Sequence, residues 1–376
     1  MNVQSSKNRL FRHLSHLPGW HTSRRIVVIE SDDWGSVRTT DQRSLERLSG
    51  RFPHILSDPY NRLDSLESNA DLEALFDVLR SVRDKDGRPA MITANTVVAN
   101  PDFRSIEENA FACYYFEPFT TTLDRYPGRD GVKELILQGM AENLYRPQLH
   151  GREHLNVNQW LKGLQQGNRE LRAAFQYGMF GVNLTESHSM RHNMMAAFDF
   201  DSPDETGQLK EILGEGQRMF KAEFGFDSDS FAAPCYIWHD ALHPHMVSLG
   251  LRYLQGLAFQ FIPNPGGDRY RKKIRFTGKR EAEGITHLVR NAFFEPSLSP
   301  DTDAVPLCLD RIGQAFRYKK PAIIGTHRVN YIGSIVEKNR EANLQQLGHL
   351  LNAIMKKWPD AEFMTTDQLG RLITDH

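Results

Sequence analysis

Cysteine is scarce in this sequence. Three occur in 376 residues, Cys113, Cys235 and Cys308, far apart and in no C-x-x-C pattern. That excludes a zinc knuckle or dithiol redox pair of the usual spacing, and an odd, sparse count suits a reducing compartment. Charge of one sign is equally lacking: 46 Lys and Arg face 47 Asp and Glu, a net charge of −1. Such balance argues against nucleic acid as the main partner and against a polybasic membrane-binding surface. No apolar run approaches the roughly 20 residues that span a bilayer. The basic start MNVQSSKNRLFRHLSHLPGW has no apolar stretch of the kind a secretory leader needs. The expectation is a cytoplasmic protein with no membrane partner. Internal repeats and low-complexity tracts are missing too.

What is present is ordinary globular composition, 40% hydrophobic and 25% charged, in a chain long enough to bury a sizeable core. Strand and helix signals alternate. Ile26-Val27-Val28-Ile29 reads as a strand buried on both faces, ending in Glu30-Ser31-Asp32-Asp33-Trp34-Gly35. Leu72, Leu75, Phe76, Leu79 and Val82 fall at helical spacing, and Asp86-Gly87 breaks that helix before a strand at Pro89–Ile92. A helix over 131–144 leads to Arg146–Leu149 and then His150-Gly151-Arg152-Glu153-His154. A helix over 206–224 leads to Phe231–Pro234. A short helix at Met246–Leu249 precedes a strand at Tyr253-Leu254. Ala322–Ile324 ends in Thr326-His327, and a helix marked by Leu344 to Trp358 precedes a strand at Glu362–Met364. This order predicts a parallel sheet or barrel. Residues 1–23 read as an extension and 24–374 as one domain, with insertions near 36–69, 99–130 and 263–284. The last of these is basic and rich in Gly and Pro, a solvated loop or a cover over a site that meets an anionic substrate.

Polar residues cluster where strands end. Adjacent carboxylates in extended chain point opposite ways, but at a strand end Asp32 and Asp33 can face one cavity. One then holds a metal while the other takes a proton from water. His150 and His154 are four apart, so on a helical turn they share a face and suit one divalent ion, completed by a carboxylate. A second pair, His188 and His192, sits in a polar loop, and His239, His243 and His245 form a third group. The first pair is preferred because it follows a strand in β/α order. His327 also ends a strand, either satisfied by a carbonyl or acting as an acid or base. Phe116, Phe119, Tyr126 and Tyr145 are read as core filling or as platforms for sugar rings.

Asp32-Asp33 after an apolar strand, His150-x-x-x-His154, a Pro-aromatic segment and a strand-borne His327 together resemble the polysaccharide deacetylases, the NodB-homology carbohydrate esterases. The ending Ala361–Leu369 is similar to that family's last strand and helix start, and Ser31-Asp32-Asp33-Trp34-Gly35 to the chitooligosaccharide deacetylases. The resemblance implies a distorted (β/α) barrel of about seven parallel strands and removal of acetyl groups from an N-acetylated saccharide. It implies Asp33, His150 and His154 as metal ligands, Asp32 as general base and His327 as the acid for the leaving amine. The metal expected is Zn²⁺, with Co, Ni, Mn or Fe as alternatives. Tyr236, Trp34, Arg152 and Arg328 are the residues expected at the substrate or oxyanion. The family's third motif carries an Arg that orients the base. In Phe231-Ala232-Ala233-Pro234-Cys235-Tyr236 alanine stands there, and Arg38, Arg152 and Arg328 are candidates to replace it. The fourth-motif acid beside the catalytic His has no assigned counterpart. Alternative functions are hydrolysis of an O-acyl ester or glycosidic bond on the same barrel, or carbohydrate binding without turnover.

Overall fold

The computed structural model of the chain describes residues 17–182, 184 and 193–375. Nine strands form its central sheet: β1 Arg25–Trp34, β2 Ile92–Thr96, β3 Tyr145–Leu149, β4 Ser230–Ala232, β5 Tyr253–Gly256, β6 Thr286–Val289, β7 Ala292–Phe293, β8 Ala322–His327 and β9 Ala361–Met364. The order is β6–β5–β4–β3–β2–β1–β8–β7, and β9 pairs with the first half of β1 on the side that β2 takes further along. All these pairs are parallel.

The two ends of this order are neighbours in sequence, since only Arg290 and Asn291 separate β6 from β7. The Arg290 N–H donates to the Gly256 carbonyl of β5 at 2.9 Å, and the Asn291 N–H to the Ile323 carbonyl of β8 at 3.0 Å. One short segment therefore passes from one edge of the sheet to the other. The sheet curls into a distorted barrel, joined at that point by the chain itself rather than by a strand ladder.

Alternation along β1 sorts its side chains. Val27 and Ile29 enter the large core shared with the outer helices. Ile26 and Val28 enter a smaller core with Tyr253, Leu288, Ile323, Met364, Leu369 and Ile373. That smaller core is the barrel floor. The C-terminal helix Thr366–Thr374 closes it with Leu369 and Ile373, its start set by a Thr365–Gln368 capping box.

The outer helices follow their apolar stripes. α1, Asn69–Arg80, starts with a Ser68–Asp71 capping box and buries Leu72, Leu75, Phe76 and Leu79. Each such burial contributes ~1.5–3 kcal/mol. It packs between α2, Val132–Ala141, and the long α5, Glu337–Lys357, which also packs on α4, Ala304–Arg317. α3 spans Thr206–Phe224 and stops at Gly225.

Segment 36–69 carries helix Gln42–Arg51, a 3₁₀-helix Pro53–Ser57 and a short α-helix Pro59–Leu63. Segment 99–130 contains an antiparallel ribbon, Ala99–Pro101 with Phe116–Pro118. A second ribbon, Phe259–Ile262 with Arg271–Ile274, occupies part of what reads as a loop over 263–284. Among the described residues, no helix is long and apolar enough to cross a membrane.

Candidate active site

Asp32 continues the inward-facing series Ile26, Val28, Glu30 along β1. Regular alternation would send Asp33 outward. Instead β1 shifts register between Ser31 and Trp34, and Asp33 takes a positive φ of 77°. That left-handed backbone turns the second carboxylate into the same cavity as the first. Two more positive φ values occur opposite, Cys235 at 56° and Tyr236 at 57°. Strained backbone of this kind persists only where the surroundings enforce it, and it concentrates at functional sites. Gly35 follows, also left-handed, with its N–H donated to Glu67 at 2.9 Å.

Three side chains converge on one point. Asp33 Oδ1 lies 3.4 Å from His150 Nε2 and 3.3 Å from His154 Nε2, and the ligand atoms of all three lie within 4.8 Å of one another. The histidines do not share a helical turn as their spacing predicts. The chain from 150 to 154 is irregular, with Gly151 at φ 103°, yet the rings stand 4.9 Å apart. His150 Nδ1 sits 2.7 Å from the Ala232 carbonyl, so Nδ1 carries the proton and Nε2 presents a lone pair. That buried Nε2 has no hydrogen-bond partner. Burial pushes the His154 imidazole down to about 3, against the opposing charge of Asp33. Two imidazoles, one carboxylate and a buried ring nitrogen without a hydrogen-bond partner fit a divalent cation.

Beside them Asp32 is clamped. Arg290 Nη1 and Nη2 each donate to one of its oxygens at 2.7 Å, Asn95 Nδ2 donates at 2.7 Å and the Tyr236 hydroxyl at 3.0 Å. Burial alone would raise this carboxyl, but the Arg290 charge and its hydrogen bonds, with His150 and His327, hold it well below the usual range. His327 faces it, with Nε2 3.8 Å from Asp32 Oδ2, while its Nδ1 lies 2.6 Å from Glu295. Burial lowers the His327 pKa, yet Glu295, followed by Asp33 and Asp32, outweighs it and brings it up to about 9. The Asn330 amide fixes the other Glu295 oxygen at 2.8 Å.

Asp32, Asp33, His150, His154, Tyr236 and His327 thus line one cavity of about 170 Å³, together with Arg38, Asp58, Tyr60, Asn193, Met195 and Cys235. Three expected contacts lie elsewhere. Trp34 is fully buried, its Nε1 on Ser31 Oγ at 2.9 Å, because the register shift at Asp33 leaves the indole in the core. Arg152 turns away, paired with Glu153 and Glu215 over the Phe116 ring. Arg328 is buried under the site against Asp64 and Glu67. None of Phe116, Phe119, Tyr126 and Tyr145 reaches the cavity. His239, His243 and His245 lie outside it, and His188 and His192 fall outside the described residues.

None of the three arginines weighed for the base occupies that place. Arg38 reaches Asp33 at 3.4 Å instead. Arg290 lies against Asp32 and Glu295 against His327, the places where the resemblance expects an arginine and an acid. Both follow short sheet strands, and the apolar-then-charged sequence His287-Leu288-Val289-Arg290 was the available signal.

No protein-family profile matches the sequence, and no curated protein does. Solved structures do. A protein from Parabacteroides distasonis, provisionally described as a glycoside hydrolase/deacetylase, aligns over 95% of this chain and 73% of its own, with TM-score 0.51 and 7% identity. A Mycobacterium smegmatis protein, provisionally described as a polysaccharide deacetylase, aligns over 95% and 93%, with TM-score 0.42 and 10% identity. The 4-α-glucanotransferase of Thermococcus litoralis aligns over 92% of this chain, which spans 40% of that enzyme, with TM-score 0.42 and 10% identity. The likeness to the first is one of fold.

Proposed function

We propose that the protein is a metal-dependent hydrolase that removes acetyl groups from an N-acetylated saccharide. The observation that carries this reading is the convergence of Asp33, His150 and His154 beside the Asp32 and His327 pair, with the His150 Nε2 lone pair left unpartnered. Those three residues would hold the ion. Bound there, it supplies the Lewis acidity that lowers the pKa of water, which a base as weak as Asp32 requires.

The other groups divide the proton work. Asp32 accepts the water proton once the Tyr236 hydroxyl, the longest of its four bonds, yields to the incoming water. His327, protonated through Glu295, donates to the leaving nitrogen from the other side of the cavity. Water adds across the acyl C–N bond, hydroxyl to carbon and proton to nitrogen, so acetate and an amine leave.

The test is metal analysis together with acetate release from N- and O-acetylated mono- to tetrasaccharides. Zn²⁺ is the expected ion. His150→Ala should strip most of the metal and the activity, while His188→Ala should spare both. Asp33→Asn should weaken the metal, whereas Asp32→Asn should keep it and lose ~10²–10⁴-fold in rate. Saccharide binding by the metal-loaded protein without acetate release would sink the reading.

A further inference from the structure

Among the described residues, Arg290 is the guanidinium that donates to Asp32, and something must hold it in plane. Its side chain is fully buried. A guanidinium carries five N–H groups in a fixed fork, and here each has an acceptor. Nη1 serves Asp32 Oδ2 at 2.7 Å and the Tyr236 oxygen at 2.6 Å. Nη2 serves Asp32 Oδ1 at 2.7 Å and Gln255 Oε1 at 3.4 Å. The remaining Nε–H goes to Glu30 Oε2 at 2.6 Å.

Glu30 lies two residues before Asp32 on the inward face of β1, itself fully buried. Its second oxygen accepts the Thr366 hydroxyl at 2.8 Å, at the first turn of the C-terminal helix. Glu30 thus grips the back of the guanidinium while Asp32 receives its front, and the barrel floor anchors the grip.

We propose that Glu30 is a positioning residue: through the Arg290 Nε it sets the plane of the guanidinium and so the orientation of the Asp32 carboxylate. Touching neither substrate nor metal ligands, it acts through reach and hydrogen bonding rather than through charge. Glutamine can replace it, since its carbonyl accepts from Nε and its amide can donate to the Thr366 oxygen. Aspartate keeps the charge but is one methylene too short.

This inference rests on the hydrolase reading for its kinetic test, which compares Glu30→Gln with Glu30→Asp. The readouts are acetate release from N-acetylated saccharides, release of nitrophenol from 4-nitrophenyl acetate, metal content, and a crystal structure of each variant. Glu30→Asp should lose roughly 10-fold or more in kcat with KM and metal content unchanged, as supporting residues of such sites do. Its Arg290 should leave the two-point contact with Asp32. Glu30→Gln should stay near the wild type in both respects. The opposite order, or equal losses, overturns the proposal. A wild type that cleaves only the nitrophenyl ester sinks the saccharide reading, and the ester kinetics then decide the role of Glu30. With no activity on either substrate the hydrolase reading fails, and the position of Arg290 in the two structures decides it alone.

Discussion

At the scale of single residues, the site is governed by which charges face one another. His327 shows it. Alone and buried, an imidazole would lose its proton, but Glu295 on Nδ1, with the two aspartates, holds its pKa near 9. The folded pKa stands above the unfolded value of about 6.5. The pair therefore contributes its full stability below pH ~6.5 and loses it as pH rises through about 9. The donor form of His327 persists over the same range, so acetate release from an N-acetyl substrate should fall on the alkaline side. Glu295→Gln removes the main partner, and a charge at that distance is worth about one to three pH units. The alkaline limb of kcat/KM should move to lower pH by that amount, while metal content stays put. A limb that does not move would assign it to another group.

At the scale of elements, the left-handed turn at the end of β1 does what a straight strand cannot. Gly35 has φ 79°, and a Cβ there would stand 2.4 Å from the Val97 carbonyl. Gly35→Ala should cost more than about 1 kcal/mol in urea unfolding. Because Asp33 is two residues away, it should also reduce metal content, which a loss of stability elsewhere would not. If metal content is normal at a temperature where the variant is folded, the turn does not position Asp33. The same turn marks how far the sequence could be read. Helical stripes such as Leu72–Leu79 and the run Ile26–Ile29 are periodic, so their elements were legible, as was the order Asp32-Asp33, His150, His154, His327. A register shift has no period. Trp34, one residue past the turn, consequently reads as a site residue although it lies in the core. Arg152 misleads for a similar reason, since it is flanked by two inward-facing histidines but its own side chain turns out to Glu215. Arg290 and Glu295 follow strands of only four and two residues, too short to show a period, so the run into Arg290 is a faint signal and Glu295 has none.

At the scale of the whole molecule, the ribbon Phe259–Ile274 is tied to the barrel by a buried charge cluster remote from the cavity. Arg275, 2% exposed, donates to Asp240 at 2.6 Å and pairs with Glu281. His287 of β6, 1% exposed, lies beside Glu281 at 3.2 Å, and its ring is 6.1 Å from that of His243. The Trp238 Nε1–H donates to His243 Nε2 at 3.2 Å, so that imidazole is neutral too. Burial, with the Arg275 charge adding to it, drives the His287 pKa down to about 2. Here the folded pKa lies below the unfolded one. As pH falls below ~6.5 the unfolded chain takes up a proton that the folded state refuses, so stability falls with pH. One such group contributes a slope of about 1.4 kcal/mol per pH unit until the folded pKa is reached. His287→Gln removes that proton from the balance. Urea unfolding of the metal-loaded protein between pH 6.5 and 4.5 should therefore show a slope shallower by one proton in the variant, with equal or lower stability at pH 7. Equal slopes in the two proteins would mean that His287 is protonated in the fold, and that the cluster holds the ribbon by a further ion pair to Glu281 rather than by a neutral ring.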